Sequence, residues 1–224
     1  MVGVTDNIFS DVKNYLDKEK ILYKKIPFME YSDVAKKRWE NDTPSILNIA
    51  SKIALFKFIE FDKLVYLDSD ILIYQNIDDL FNYPDGAMYD ECGKPFIGLF
   101  VFSPRNHKPD WYYFLIQITG LIESDILEGL FFPAKSNPDY LIPFEYYVNI
   151  TLQNLDTKNI EDLKVIHYCY KYKPWNYSST EKFLDDFKNT FKNHSNKNRT
   201  ICTEFYFNNY LCPLWEDYPE FKVL

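Results

Sequence analysis

Two carboxylates separated by one residue, Asp68 and Asp70, interrupt an apolar stretch of the chain formed by residues 64–67 and 71–74. An unpaired charge beside an apolar interior is costly, so we expect a cation close to these carboxylates. If the chain bends at Ser69, both side chains can bind one divalent ion, and carboxylate oxygens favour Mg²⁺ or Mn²⁺ over thiophilic metals. The end of a strand is also where α/β proteins place their active sites. Asp-x-Asp recurs by chance, however, so the triplet alone does not establish a metal site.

A second polar group follows another short apolar run. His167 comes directly after Val165-Ile166, and Lys173 follows it, at the start of a Lys-Pro-Trp segment. A lone His after a strand is more often a hydrogen-bonded core residue than a ligand. With the Asp pair, its imidazole could complete the shell of a cation while the ammonium of Lys173 pairs with a phosphate. The combination predicts a metal-bound diphosphate, and Trp175 is expected to be structural.

The elements that position these residues alternate between helical and extended patterns, which predicts an α/β fold. Helices are expected over residues 8–16, 45–59, 110–118 and 123–131, with a helical turn at 77–81. Strands are expected near 1–4, 21–26, 64–67, 96–102 and 165–166, with the strand at 64–67 buried on both faces. The 224 residues suit a single domain in which 178–224 form a helical and irregular extension.

Composition excludes several classes of function. A net charge of −8 disfavours a broad nucleic-acid surface, which needs clustered Lys and Arg. The basic stretch from Lys188 to Arg199 is interpreted as a solvated loop. The four cysteines form no CxxC pair and are expected to be free thiols in a reducing compartment, which favours a cytoplasmic location. The sequence contains no run of apolar residues long enough to predict a membrane span.

A family resemblance rests on two segments, YLDSDILIYQNIDDLF and VIHYCYKYKPWNY. Together they resemble the glycogenin and galactinol synthase group, the family-eight retaining glycosyltransferases. The segment LNIASKIALFKFIEFDKLVYLDSD is similar to the family's helix with a lysine before the metal motif, here Lys52. GLFVFSP, from Gly98, matches the strand after the sugar pocket, and ESDILEGLFF, from Glu123, resembles the family's acidic helix start.

The resemblance implies a GT-A fold with a Rossmann-like mixed central sheet flanked by helices. It implies a Mn²⁺-dependent hexosyltransferase (Mg²⁺ being the alternative metal) that uses a UDP-sugar, UDP-glucose or UDP-galactose, with retention at the anomeric carbon. The expected metal ligands are Asp68, Asp70 and His167. The expected substrate-binding residues are Lys52, Ser69, Gly98 and Lys173, of which Lys173 would hold the diphosphate. The expected catalytic residues are Glu123 and Asp125, either of which could face the sugar. The acceptor is an unidentified hydroxyl on a protein tyrosine, a polyol or a glycan.

The chain departs from the family pattern at four positions. Phe96 and Ile97 replace an Asn and a small residue before the glycine, Tyr170 replaces a phosphate-contacting glycine, and Ser124 replaces a Gln. The resemblance also begins at the family's second strand, so we expect the first strand–helix unit to be lacking. A sheet edge exposed in this way would suit a homodimer.

Two alternatives remain at this point. The departures at residues 96, 97 and 170 motivate a catalytically impaired relative that binds a nucleotide sugar or a partner without turnover. A Mg²⁺-dependent phosphotransferase with Asp68 as nucleophile is the other alternative, although it leaves the segment from Lys173 to Trp175 without a role.

Overall fold

The computed structural model describes most of the chain. The described residues are 2–4, 10–26, 33–38, 51–89, 95–119, 121, 123–131, 142–143, 146, 148–150, 155, 159–169, 171–191 and 197–217. Within them, three small sheets are flanked by helices, so the mixed α/β class is confirmed.

The N-terminal sheet pairs β1 (Val2–Val4) with β2 (Tyr23–Lys25) in parallel, and helix α1 (Ser10–Lys18) connects them. Only Leu16 is buried on α1, whereas Val12 of the expected apolar stripe is exposed. Ile8, the other member of that stripe, lies outside the described residues.

The second sheet has the order β3 (Leu64–Leu67), β6 (Pro95–Phe102), β5 (Gly86–Tyr89), with antiparallel neighbours. The predicted strands at 64–67 and 96–102 are confirmed, but burial of the former on both faces is wrong. All four residues of β3 are only half-buried, whereas β6 is buried over residues 98–102. The reason is position, because β3 ends this sheet and β6 lies in its middle.

The third sheet has the order β4 (Ile71–Ile73), β8 (Val165–His167), β7 (Val148–Asn149). Strand β4 runs antiparallel to β8, and β7 runs parallel to it. Strand β8 confirms the prediction at 165–166. The sequence patterns predict no element at 71–73, but this short apolar run forms β4 and connects the second sheet to the third.

Helices cover the second sheet. They are α3 (Ser51–Ala54), α4 (Pro109–Thr119) and α5 (Glu123–Phe131), and α2 (Asp33–Arg38) lies against α4. After α3 the chain continues as a 3₁₀ turn over Leu55–Lys57, so the helix expected to reach residue 59 ends earlier, and its part before residue 51 lies outside the described residues. The helical turn expected at 77–81 is present as a 3₁₀ helix at Asp78–Asn82. Ile53, Phe56, Phe100 and Ile116 form the centre of this core.

The C-terminal part packs against the third sheet through α6 (Thr180–Thr190) and α7 (Lys197–Tyr206). A π-helical stretch at Phe207–Leu211 follows, packs near Trp175 and Tyr177, and leads into α8 (Cys212–Asp217). The interpretation of 188–199 as a solvated loop is wrong at both ends of that stretch. Lys188 lies on α6, and Arg199 is fully buried. The Arg199 Nε donates to the carbonyl of Ile150 at 2.8 Å, and its guanidinium lies 4.9 Å from the Phe187 ring centroid.

Among the described cysteines, Cys169, Cys202 and Cys212 form no disulfide, as expected, and Cys92 lies outside the described residues. Within the described part of the chain, no helix combines the length and the apolar character that crossing a membrane requires.

Candidate metal and nucleotide-sugar site

The Asp68-Ser69-Asp70 triplet joins two different sheets. It begins where β3 ends and finishes where β4 starts, so each Asp belongs to a different strand pair. The amide of Asp68 donates to the carbonyl of Gly98 on β6 at 2.8 Å. The amide of Tyr168, after β8, donates to the carbonyl of Asp70 at 2.9 Å. The backbone therefore holds both Asp residues at the ends of strands, before their side chains are considered.

On the β3 side, two groups contact the same oxygen of Asp68. The hydroxyl of Tyr66 donates to Oδ1 at 2.5 Å, and the Nζ of Lys52 lies 2.8 Å from Oδ1. Lys52 also approaches the carbonyl of Ile97 at 3.4 Å and lies 5.1 Å from the centroid of the Tyr66 ring. The cation expected beside this carboxylate is therefore present as a lysine.

On the β4 side, the two partners of Asp70 come from the distant segment. The Nε2 of His167 lies 2.8 Å from Oδ1, and the Nζ of Lys173 pairs with Oδ2. Lys173 also donates to the carbonyl of Tyr168. Burial by itself would raise the pKa of Asp70, but the hydrogen bonds and charges of His167 and Lys173 outweigh it and hold that pKa well below its usual range. Asp70 is therefore a carboxylate at neutral pH.

The three predicted metal ligands lie together. One ligand atom each from Asp68, Asp70 and His167 falls within 4.8 Å of the others. The side chains are partly accessible, at 22%, 21% and 10% exposure, so an ion could reach them from solvent. Two carboxylates and one imidazole are a donor set that suits Mn²⁺ or Mg²⁺, with the remaining positions left for water or phosphate oxygens. The residues present fit a hard divalent cation.

The structure places the other predicted residues in different ways. Ser69 is exposed in the middle of the triplet. Gly98 is buried on β6, where its carbonyl accepts the hydrogen bond from the Asp68 amide. Glu123 begins α5, and the half-buried Asp125 lies on its first turn. Asp125 is not a member of the carboxylate–imidazole group. The catalytic roles assigned to Glu123 and Asp125 stay predictions.

Two of the residues that depart from the family pattern are part of the core. Phe96 packs against the cluster of Leu80 and Leu99, whereas Ile97 packs against the cluster of Phe100 on the other face of the strand. Their apolar side chains are therefore accommodated by the fold. Tyr170 and the side chain of Ser124 lie outside the described residues.

Tyr66 lies in the candidate site although the motifs do not predict it. A signal for it exists, because residues two apart on a strand point to the same face, which places Tyr66 beside Asp68. The run at 64–67 is mostly apolar and therefore predicts only burial, whereas the hydroxyl of Tyr66 donates to the carboxylate of Asp68.

Comparison with known proteins supports the resemblance. Galactinol synthase 1 of Solanum lycopersicum is 29% identical over 170 residues, covering 60% of this chain and 51% of that protein. Galactinol synthase 3 of Arabidopsis thaliana is 30% identical over 177 residues, covering 58% and 51%. Galactinol synthase 2 of Ajuga reptans is 29% identical over 190 residues, covering 67% and 64%. The chain spans about half the length of the first of these relatives. No profile of a known protein family matches it.

Among solved structures, the glycosyltransferase GlyE of Streptococcus pneumoniae TIGR4 is similar at 18% identity and a TM-score of 0.47, over 82% of this chain and 52% of GlyE. A TM-score below 0.5 does not by itself establish a common fold. The sequence matches confirm the resemblance that the motifs indicated, since this chain is similar to several galactinol synthases over 58–67% of its length.

Proposed function

We propose that the chain is a Mn²⁺-dependent retaining glycosyltransferase that moves a hexose from a UDP-sugar to a hydroxyl acceptor. The observation that carries the proposal is the convergence of Asp68, Asp70 and His167, with an ammonium beside each carboxylate. Homology to galactinol synthases supports the same reaction class. Because those relatives are named for a galactosylated polyol, UDP-galactose with a polyol acceptor is the first pair to test, followed by UDP-glucose.

The chain's own residues can perform three tasks in this reaction. Asp68, Asp70 and His167 would hold the cation, which when bound supplies positive charge to the diphosphate. Lys173, close to Asp70, would pair with a phosphate oxygen and stabilise the negative charge that grows there as the sugar–phosphate bond breaks. Lys52, close to Asp68 on the other side, would face the same nucleotide sugar.

Retention of configuration admits two paths for the sugar. In one, the leaving phosphate accepts the proton of the incoming hydroxyl, and no nucleophile from the chain is required. In the other, Glu123 or Asp125 forms a covalent intermediate. Either carboxylate would also steady the positive charge that develops on the sugar ring.

The experiment measures UDP release and product mass after incubation with UDP-galactose or UDP-glucose, Mn²⁺ and a set of polyol acceptors. Intact-mass analysis of the chain itself reports self-glycosylation in the same sample. We expect turnover that requires the metal and is abolished by EDTA. Metal-independent turnover, or a phosphorylated Asp68 in place of glycosyl transfer, would contradict the proposal.

A second candidate function is binding of the nucleotide sugar without turnover. Phe96 and Ile97 favour it, because these half-buried apolar side chains pack against the core at positions where the family has polar groups that contact the sugar. Calorimetric binding of UDP-sugar and Mn²⁺ without hydrolysis or transfer over hours would select this candidate. Replacement of Phe96-Ile97 by Asn-Ala should then restore activity.

A further inference from the structure

The two lysines of the site point to a device that couples metal binding to nucleotide binding. We propose that Lys52 and Lys173 are exchangeable counter-cations of Asp68 and Asp70, so that a divalent cation binds tightly only together with a nucleoside diphosphate. The inference rests on the proposed function, since it assigns a role to the same site. The reaction class does not determine how the metal and the nucleotide enter the site.

Charge is balanced within the site. Each carboxylate pairs with one ammonium, Lys52 with Asp68 at 2.8 Å and Lys173 with Asp70. Both lysine side chains are largely buried, at 11% and 19% exposure, so water screens these pairs only partly. Within these two pairs, the negative and positive charges of the four described side chains cancel, which weakens the attraction of the site for a metal that arrives alone.

A divalent cation that binds alone must displace or oppose both ammonium groups. The carboxylate groups that would ligate it are the ones that the lysines contact, and charges a few ångströms apart interact strongly at a half-buried position. A nucleoside diphosphate removes the conflict, because its phosphate oxygens can accept both ammonium groups and also ligate the metal. Metal and nucleotide should therefore each increase the affinity of the site for the other.

Both lysines keep polar contacts that do not depend on the carboxylates. Lys52 approaches the carbonyl of Ile97 and the ring of Tyr66, and Lys173 donates to the carbonyl of Tyr168. An exchange from carboxylate to phosphate therefore leaves each ammonium partly solvated by the protein. The lysines can stay in the site during the exchange and need no large movement of the backbone.

The test is a Mn²⁺ titration without nucleotide, followed by the electron paramagnetic resonance signal of the free ion. Lys52→Gln and Lys173→Gln remove one positive charge while retaining a hydrogen-bond donor. Each should tighten Mn²⁺ binding by about tenfold or more, because the competing cation is gone. A residue assigned only to hold phosphate would not give this result, since no phosphate is present.

Matched controls lie close in sequence and outside the site. Lys57 pairs with the exposed Asp110, and Lys171 pairs with Asp186. Lys57→Gln and Lys171→Gln make the same change in net charge and should leave the Mn²⁺ affinity within about twofold of the wild type, since exposed charges are screened. Thermal melts of all four variants verify that they are folded.

The second arm repeats the titration with UDP at saturating concentration. The Mn²⁺ affinity of the wild type should rise by about tenfold or more when UDP is present. The rise should be smaller in Lys173→Gln, because the ammonium group that would bind a phosphate oxygen of UDP is missing. Unchanged or weaker metal-only binding in both folded lysine variants would overturn the inference and leave the proposed function intact. Absence of Mn²⁺ binding in every mixture would overturn both.

Discussion

The described residues contain two Asp–His pairs that look alike in isolation. Asp70 and His167 lie 2.8 Å apart, and Asp85 and His107 lie 3.3 Å apart. Both Asp side chains are 21% exposed, and both His side chains are nearly buried. They differ in what surrounds them, and this difference separates a candidate metal site from a structural polar cluster.

Neutral groups surround the second pair. Ser103 donates to Oδ1 of Asp85 at 2.9 Å, Asn106 donates to Oδ2 at 3.2 Å, and Tyr112 contacts the Nδ1 of His107 at 3.1 Å. The Nε2 of His107 approaches the carboxylate at ion-pair distance without hydrogen-bond geometry. No second carboxylate joins this pair in a metal-binding group among the residues that the structure describes. Charged partners and a second Asp are what distinguish the pair at Asp70.

The largest effect is expected from Asp70→Asn, which breaks the charged pair. The substitution removes a proposed metal ligand and the negative charge that His167 and Lys173 contact. Mn²⁺-dependent turnover should fall by about a hundredfold or more, because loss of a metal-site charge acts directly on the transition state. Steady-state UDP release measures it. Turnover within threefold of wild type would contradict the metal assignment.

Tyr66→Phe should weaken the site less, because it removes a positioning group and no ligand. The Tyr66 hydroxyl donates to Asp68 Oδ1, and its ring stacks on Phe100 with centroids 4.7 Å apart, a contact that Phe retains. We expect Mn²⁺ affinity in the presence of UDP to fall by about tenfold, at the lower end of the effects of second-layer hydrogen bonds. A competition titration with a metal-sensitive dye measures it. Unchanged affinity would show that the Tyr66 hydroxyl does not position Asp68 for metal binding.

Asp85→Asn should affect stability and not the metal. It weakens a half-buried hydrogen-bond cluster, for which we expect a cost of about 1–2 kcal/mol. In a chain of this size that is a fall in melting temperature of a few degrees. Calorimetry measures the melting temperature, and Mn²⁺ titration with UDP supplies the control, which should match the wild type. A lowered metal affinity would mean that the two Asp–His pairs are not independent.

The smallest effect is expected in how the stability difference between the wild type and Asp85→Asn depends on pH. Burial would raise the pKa of Asp85, but interaction with His107 and hydrogen bonds from Ser103 and Asn106 lower it below its usual value. A lowered pKa in the folded state adds stability above the unfolded pKa of about 3.9 and loses it as pH falls through the folded pKa. The melting-temperature gap between wild type and Asp85→Asn should therefore narrow as pH falls from about 5 to 3. A gap that widens as pH falls would show that folding does not lower the pKa of Asp85.

Much of the candidate site could be predicted from the sequence because the proposed metal ligands lie in local motifs. Asp68 and Asp70 follow an apolar run, and Lys173 belongs to a segment with Pro and Trp, although Lys173 and Asp70 are 103 residues apart. Tyr66 could not be predicted as a site residue because an aromatic residue in a strand usually packs into the core. Strand β4 was missed because a three-residue apolar run has no distinctive period.

Arg199 is a residue whose burial could not be predicted from the sequence, for a different reason. Charged residues in a polar run are usually solvated, but this guanidinium is buried against the carbonyl of Ile150, 49 residues away. Only the tertiary structure reveals an acceptor that is a backbone group. A side chain that bonds a distant backbone carbonyl, as Arg199 does, leaves no local pattern in the sequence.

Pulsed electron paramagnetic resonance on the Mn²⁺–UDP complex tests the central claim most directly. If Asp68, Asp70 and His167 share one ion, the spectrum shows one bound Mn²⁺ per chain with coupling to an imidazole nitrogen. That coupling disappears in His167→Gln and persists in His107→Gln. Bound Mn²⁺ without nitrogen coupling, or coupling that survives in His167→Gln, would contradict the account.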